Sequence, residues 1–392
     1  MGSATRTTHR ATGSATAHDG RQSSAPTDAV PTDAAPTDAA PPDAVTATMY
    51  EFHLPQVPSR LTARYHPRSP ELQGLGGAWA RARLPFSDAD DEHDFLQYAC
   101  LFPCLVWPRA TFDRMLDLCD LSSVVSRIDD TLPNPGDVGR SEAHATAFAR
   151  ELGAALSGRE VPPGQEPGYA SALSDVWGRI AGKAAPGVRE RLSVSLHNLF
   201  RSFVAEVASR RRGGFTDLAD YVELRAHSVG AQLCSAMAEY GIGADLPDSL
   251  FTDPEYTRLQ AAVAEHLTFV NDLFTFAYER HRGEAMNAVL ILCGDGRAAL
   301  QEAVDTVLGR IEAAELRFTA LRDRLLARAT AASQVEPYLT ALADMLAGNW
   351  HWSRTSPRYH GPGFVWNPLT AGTVTLRPGG STSFTAARHP AS

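Results

Sequence analysis

From Asp94 onward, apolar side chains recur every three or four residues, the spacing of one buried helix face. Phe112, Met115, Leu116, Cys119, Val125 and Ile128 form one such stripe, and Leu192, Leu196, Leu199, Phe203 and Val207 form a second. A third joins Leu259, Val263, Leu267, Val270, Phe274 and Ala277. Gly and Pro clusters separate the stripes at "LPNPGDVG", "VPPGQEPG", "RRGG" and "GADLPDS". Strand-like alternation is nearly absent before "GTVTLRP", which reads as an exposed tail. The pattern predicts an all-α bundle of about ten helices. No Gly-rich loop joins a strand to a helix, so a nucleotide-binding fold has no support.

The first 48 residues break this pattern. "APTDAVPTDAAPTDAAPPDAV" repeats Pro-Thr-Asp-Ala with almost no large apolar side chain, and such a segment cannot offset its ordering entropy by burial. It is expected to be a disordered tail. At Tyr50 the chain turns to "MYEFHLPQVPSRL", an extended arm entering the fold. The expected organisation is a tail over 1–48, a folded helical domain over 49–362 and a C-terminal tail over 363–392.

Composition narrows the function. Hydrophobic residues make up 44% of the 392, enough for a large core. The formal net charge of −9, with Arg210, Arg211 and Arg212 as the one basic run, argues against a nucleic-acid partner. That run reads as a solvated helix end. Five scattered cysteines lack the spacing of a zinc site and read as buried thiols. Without an apolar membrane span or a signal core, the expected location is the cytoplasm. "SDADDEHD" is acid-rich, but Ser and Asp favour helix starts and it reads as a capping loop.

Two acidic signals remain. "SRIDDTLPN" ends a helix on Asp129 and Asp130, whose charges face the negative end of the helix dipole and call for a positive partner. A solvated helix end would account for such a pair taken alone. In "FVNDLFTFAYER", Asn271, Thr275 and Glu279 stand four residues apart, about 400° of turn per step, beside Val270 and Phe274. An amide oxygen, a hydroxyl and a carboxylate on one face are hard donors suited to Mg²⁺, although an amphipathic edge could show the same spacing.

These residues resemble a family. "NDLFTFAYE" is similar to the (N/D)Dxx(S/T)xxxE signature of class I terpene synthases, and Asp129-Asp130 lies where their Asp-rich motif does. "YVELRAHSVG" places Arg225 forty-six residues before Asn271, the position of the family's pyrophosphate-sensing arginine, on a helix expected to break near Ser228–Gly230. "NWHWSRTSPRY" ends in the Arg358-Tyr359 pair that closes over pyrophosphate in such enzymes. The resemblance spans about residues 50 to 362 and is strongest to bacterial terpene cyclases.

The resemblance implies the class I α-helical bundle with a central apolar cavity, and a lyase that ionises an allylic isoprenoid diphosphate and cyclises the cation. Three Mg²⁺ ions are implied, with Mn²⁺ as an alternative. Asp129, Asp130, Asn271, Thr275 and Glu279 would be metal ligands, and Asp129, Arg225, Arg358 and Tyr359 the catalytic set. Arg225, Ser228, Val229, Gly230, Arg358, Tyr359, Phe112 and Phe274 would bind substrate, with Trp107, Phe200, Phe203 and Trp350 as further aromatic candidates for the cavity wall. The implied partner is the small-molecule diphosphate, with a homodimer as the family's common assembly.

Two departures stand out. Pro133 and Asn134 occupy the positions of the motif's third acid, leaving Asn134 or Asp137 as substitutes. Tyr278 stands where relatives often carry lysine, with Arg280 as a replacement phosphate contact. The first choice of substrate is farnesyl diphosphate, giving a sesquiterpene. Geranylgeranyl diphosphate and a methylated geranyl diphosphate are the alternatives. An elongating prenyltransferase would carry two Asp-rich motifs, and a non-catalytic isoprenoid-binding protein would not need Arg358-Tyr359.

Overall fold

The computed structural model describes residues 50–54, 60–132, 138–157, 168–281, 284, 286–294, 299–330, 334–360, 371–376 and 382–386. All lie in the compact unit spanning Pro42–Ser392. The expected tail over 1–48 and most of the stretch over 363–392 lie outside the described residues, as do Asn134 and Asp137.

Among the described residues the chain forms fifteen helices. They are α1 (Ser69–Arg83), α2 (Ala89–Leu96), α3 (Leu101–Val106), α4 (Phe112–Thr131), α5 (Glu142–Leu156), α6 (Tyr169–Lys183), α7 (Pro186–Arg211) and α8 (Leu218–Ser228). The order continues with α9 (Ala231–Gly241), α10 (Asp248–Phe251), α11 (Pro254–His281), α12 (Ala288–Cys293), α13 (Leu300–Leu326), α14 (Val335–Thr355) and α15 (Pro357–His360). None is long and apolar enough to cross a membrane. The excess over the ten expected comes from short helices such as α3, α10, α12 and α15, too brief to show a period.

Local chemistry sets the boundaries. Asp88 caps α2 by accepting from the Asp90 and Asp91 amides, so the acid-rich loop is the helix start its residues suggest. Asp217 caps α8 in the same way. Between α8 and α9 the chain turns at Gly230 with φ +74°, left-handed backbone that a side chain would strain. Four of the five cysteines are buried and all are free.

One core is built from α1 to α7, α9 to α11, α13 and α14, with Leu118, Leu192, Leu339 and Phe318 among its fully buried side chains. Each such side chain contributes about 1.5–3 kcal/mol of burial. At Gly348, α14 meets α3 backbone to backbone, where a Cβ would fall on the Leu105 carbonyl. A second core joins the C-terminal half of α11 to α12 and α13 through Phe269, Leu273, Val289 and Val307.

The stretch expected as an exposed tail is otherwise. Three strands, β1 (Tyr50–Leu54), β2 (Gly372–Leu376) and β3 (Thr382–Ala386), form an antiparallel sheet in that order, with Tyr50 opposite Leu376 and Phe52 opposite Val374. Val374 and Phe52 are buried, and the Phe52 ring packs 5.3 Å from Phe276 on α11. Pairing partners more than three hundred residues apart leave no local signal.

Candidate active site

The last turn of α4 carries Asp129 and Asp130, where the helix dipole opposes them. The compensating charge comes from α15. Arg358 donates from Nη2 to Asp130 Oδ1 at 2.5 Å and from Nη1 to Oδ2 at 3.2 Å, and its Nη2 lies 3.8 Å from Asp129. Asp129 borders two cavities, its side chain 54% exposed with Arg225, Arg358 and Tyr359 around it. Burial, followed by the charge of Glu206, pushes its carboxyl up to about 6 against the pull of Arg358.

Across the cavity, α11 presents Asn271, Thr275 and Glu279. Arg225, in the last turn of α8, donates to Asn271 Oδ1 at 3.0 Å and to Glu206 at 3.3 Å, and lies 3.8 Å from Asp272. Burial works against its charge, but Tyr221, Asp272, Glu206 and Glu279 hold it protonated above the ordinary arginine range. The Asn271 amide donates to the Tyr359 hydroxyl at 3.0 Å, linking α11 to α15. Four of the family-like motifs therefore converge: Asp129-Asp130, Arg225, the Asn-Thr-Glu face and Arg358-Tyr359.

Behind α11 stands Asn287, fully buried at the N-cap of α12. Its Nδ2 reaches Glu279 Oε2 at 2.7 Å, the Asp272 carbonyl at 2.8 Å and Thr275 Oγ1 at 3.4 Å. Asp272 points away from the cavity, accepting from the Tyr221 hydroxyl at 2.8 Å and the Ala288 amide at 2.9 Å. Burial, with Asp272 adding its charge, pushes the Glu279 carboxyl up to about 8.

Two cavities meet here. The apolar one, about 180 Å³, is walled by Phe102, Trp107, Phe203, Leu233, Met237 and Trp352, and includes Ser228, Val229 and Gly230 at the helix break. The polar one, about 90 Å³, is lined by Asp129, Asp130, Glu206, Arg210, Arg225, Thr275, Glu279 and Glu284. Asp129, Arg225, Asn271, Arg358 and Tyr359 border both.

Several expected wall residues lie elsewhere. Phe112 lines neither cavity, because the Arg68 guanidinium covers its ring at 3.4 Å. Phe274 also lines neither, packing instead in the second core 5.4 Å from Trp350. Trp350, Phe200 and Arg280 are likewise absent from both linings. Trp107 and Phe203 are on the apolar wall. Arg210, read as part of a solvated helix end, is only 22% exposed and pairs with Glu206 and Glu284. The i,i+4 spacing of Glu206 and Arg210 beside Phe203 and Val207 was its sequence signal. Tyr98, Phe102, Met237 and Trp352 carried none that separated them from ordinary core.

The donors suit a hard divalent cation. Five carboxylates (Asp129, Asp130, Glu206, Glu279, Glu284) face three arginines (Arg210, Arg225, Arg358) in the polar cavity, and the raised Asp129 and Glu279 are acids whose charge a cation would stabilise. Among the described residues no three His, Cys, Asp or Glu side chains converge on one point. A cation beside Glu279 would therefore draw on the Asn271 amide and Thr275 hydroxyl oxygens with water, the mixed oxygen set typical of Mg²⁺.

Known proteins resemble the chain in sequence and in fold. The family model described as "Terpene synthase family 2, C-terminal metal binding" matches residues 120–317, half of the chain. The chain is 26% identical over 320 residues to "Microbial Terpene synthase-like protein 13" of Selaginella moellendorffii, covering 80% of this chain and 88% of that protein. It is 27% identical over 258 residues to "Sesquiterpene synthase 1" of Postia placenta, covering 66% and 74%. Germacradien-4-ol synthase from Streptomyces citricolor shares the fold with a TM-score of 0.64 at 23% identity, covering 76% of this chain and 97% of that one. Hedycaryol synthase does so with a TM-score of 0.64 at 24% identity, covering 77% and 100%. The expected emphasis on bacterial cyclases is corrected by these relatives: the sesquiterpene synthases similar in sequence are fungal rather than bacterial, and the Streptomyces enzyme shares the fold.

Proposed function

Because this chain belongs to the terpene synthase family, its match running through the C-terminal metal-binding region, we propose that it ionises farnesyl diphosphate, releasing pyrophosphate, and cyclises the resulting cation to a sesquiterpene, the last cation losing a proton directly or after adding water. The observation that carries the reading is the junction of a polar and an apolar cavity at Asp129, Arg225, Asn271, Arg358 and Tyr359. A substrate with an anionic head and a greasy tail fits such a junction. The relatives named as sesquiterpene synthases support the farnesyl chain length.

In this reading Asn271, Thr275 and Glu279 would hold Mg²⁺ on one side of the site and Asp129, with Asp130 beside it, on the other, three ions being what the family resemblance implies. Bound Mg²⁺ supplies neutralisation of the negative charge that grows on the departing diphosphate. Arg225 and Arg358 grip phosphate oxygens with paired N–H donors, and the Tyr359 hydroxyl adds a further donor. Arg358 exchanges part of its hold on Asp130 for the diphosphate, and α15 closes that end of the cavity against water. The apolar wall then protects the carbocation, and the faces of Phe102, Trp107, Phe203 and Trp352 offer electron density to it. At the α8–α9 break, Ser228, Val229 and Gly230 line the cavity, and a carbonyl freed at this helix end would offer the negative end of its dipole to the cation.

The test is incubation with Mg²⁺ and, separately, geranyl, farnesyl and geranylgeranyl diphosphates, read by gas chromatography with mass detection. A cyclic product from farnesyl diphosphate, lost in Asp129→Ala and Asn271→Ala, is expected. A product from another chain length would overturn the substrate, and no turnover by the folded enzyme would overturn the cyclase.

A further inference from the structure

Three arginines reach the polar cavity, and the mechanism above uses two. Arg210 is the third, in the last turn of α7. Its Nε donates to Glu284 at 2.8 Å and its Nη2 to Glu206 at 3.2 Å. Its Nη1 is buried without a hydrogen-bond partner. A buried charged donor left unsatisfied is uncommon and calls for an acceptor.

The surroundings say what kind. The two carboxylates take one edge of the guanidinium, and the remaining nitrogen belongs to a side chain that lines the same cavity as Asp129, Arg225, Asn271, Glu279 and Arg358. A further carboxylate would add to a cavity already rich in acids. An anion that arrives with its own cations would not. The sequence lacks the lysine that relatives often carry at position 278, and Arg280, its suggested replacement, does not line this cavity. Arg210 comes from a different helix and brings a cation to the polar cavity, against Glu284 in the segment that follows α11.

We propose that Arg210 is a third diphosphate-binding side chain, its guanidinium donating an N–H to an oxygen of the substrate's diphosphate when that group occupies the polar cavity. The proposal rests on the diphosphate reading of the cavity. Glu206 and Glu284 orient the guanidinium by holding its other edge.

The experiment titrates inorganic pyrophosphate into the full chain with Mg²⁺ present, by calorimetry and by the ligand-induced rise in Tm. Arg210→Gln is expected to weaken binding by about tenfold or more and to shrink the Tm rise, as loss of a charge-assisted hydrogen bond would. Arg210→Lys should recover part of the loss, and Glu284→Gln, whose amide oxygen can still accept from Nε, should weaken binding less than Arg210→Gln does. If Arg210→Gln folds poorly with Glu284 stranded, the double variant Arg210→Gln/Glu284→Gln removes both charges and must still show the weakened binding. Wild-type affinity in the Arg210→Gln or double variant, with only a lowered Tm, would reduce Arg210 to a tie between α7 and Glu284 and overturn the proposal. Failure of the wild-type chain to bind pyrophosphate would instead overturn the parent reading, and this one with it.

Discussion

Arg358 lays its guanidinium along both oxygens of Asp130, at 2.5 and 3.2 Å, and so joins α15 to the end of α4 across the mouth of the site. The pair answers the opposed helix dipole at Asp130, and it depends on a flat, two-pronged donor. Arg358→Lys keeps the charge but loses the fork. It is expected to lower kcat/KM by about tenfold or more, with a smaller change in Tm, measured by pyrophosphate release and thermal melting.

Asn287 supports the metal-binding face from behind. Its amide reaches Glu279 and Thr275, and its carbonyl oxygen caps α12 through the Val289 and Leu290 amides. Asn287→Ala should cost about 2–4 kcal/mol by removing a cap and leaving buried acceptors unpaired. Urea denaturation measures this, and Mg²⁺ should then promote pyrophosphate binding only at higher concentration.

Gly348→Ala tests the wall of the apolar cavity. The added methyl meets the Leu105 carbonyl, so α14 and α3 must part, moving Asn349, Met345 and Trp352 on the same helix. A loss of about 1–3 kcal/mol is expected. The product mixture from gas chromatography should change with it.

Acid stability reads a buried imidazole. His266 on α11 is 1% exposed, and burial lowers its pKa from 6.5 to about 4. Between those values the unfolded chain holds more protons, so the His266 contribution is full above pH 6.5 and is lost as pH falls toward 4. His360, lowered to about 4 by burial, acts in the same direction. His266→Leu should flatten the stability–pH slope by up to about 1.4 kcal/mol per pH unit in that window, measured by urea midpoints.

What the sequence made legible was chemistry tied to spacing. Asn271, Thr275 and Glu279 fall on one face because helical geometry puts them there, and the break at Gly230 follows from glycine's freedom in left-handed backbone. Asp129 and Asp130 could be paired with a cation in principle, but naming Arg358 required the family resemblance. Side-chain surroundings were out of reach. Phe112 and Phe274 follow the same apolar spacing as Phe203, yet only Phe203 faces the cavity, because the angle at which helices cross decides which part of a stripe stays uncovered. Arg210 was hidden by its neighbours Arg211 and Arg212, both exposed, since one turn of helix separates a buried direction from a solvated one.

The sheet has a bearing on how the chain is made. β1 leaves the ribosome early, and its partner β2 begins more than three hundred residues later. Until then β1 offers an unpaired edge, and the Phe276 side of α11 lacks the Phe52 ring that covers it. The helices can pack as they emerge, whereas the arm closes only when β2 arrives, a high-separation contact that belongs late in folding. Synthesis halted after Tyr359 would thus yield a chain with every motif of the candidate site and an exposed, adhesive strand at its front.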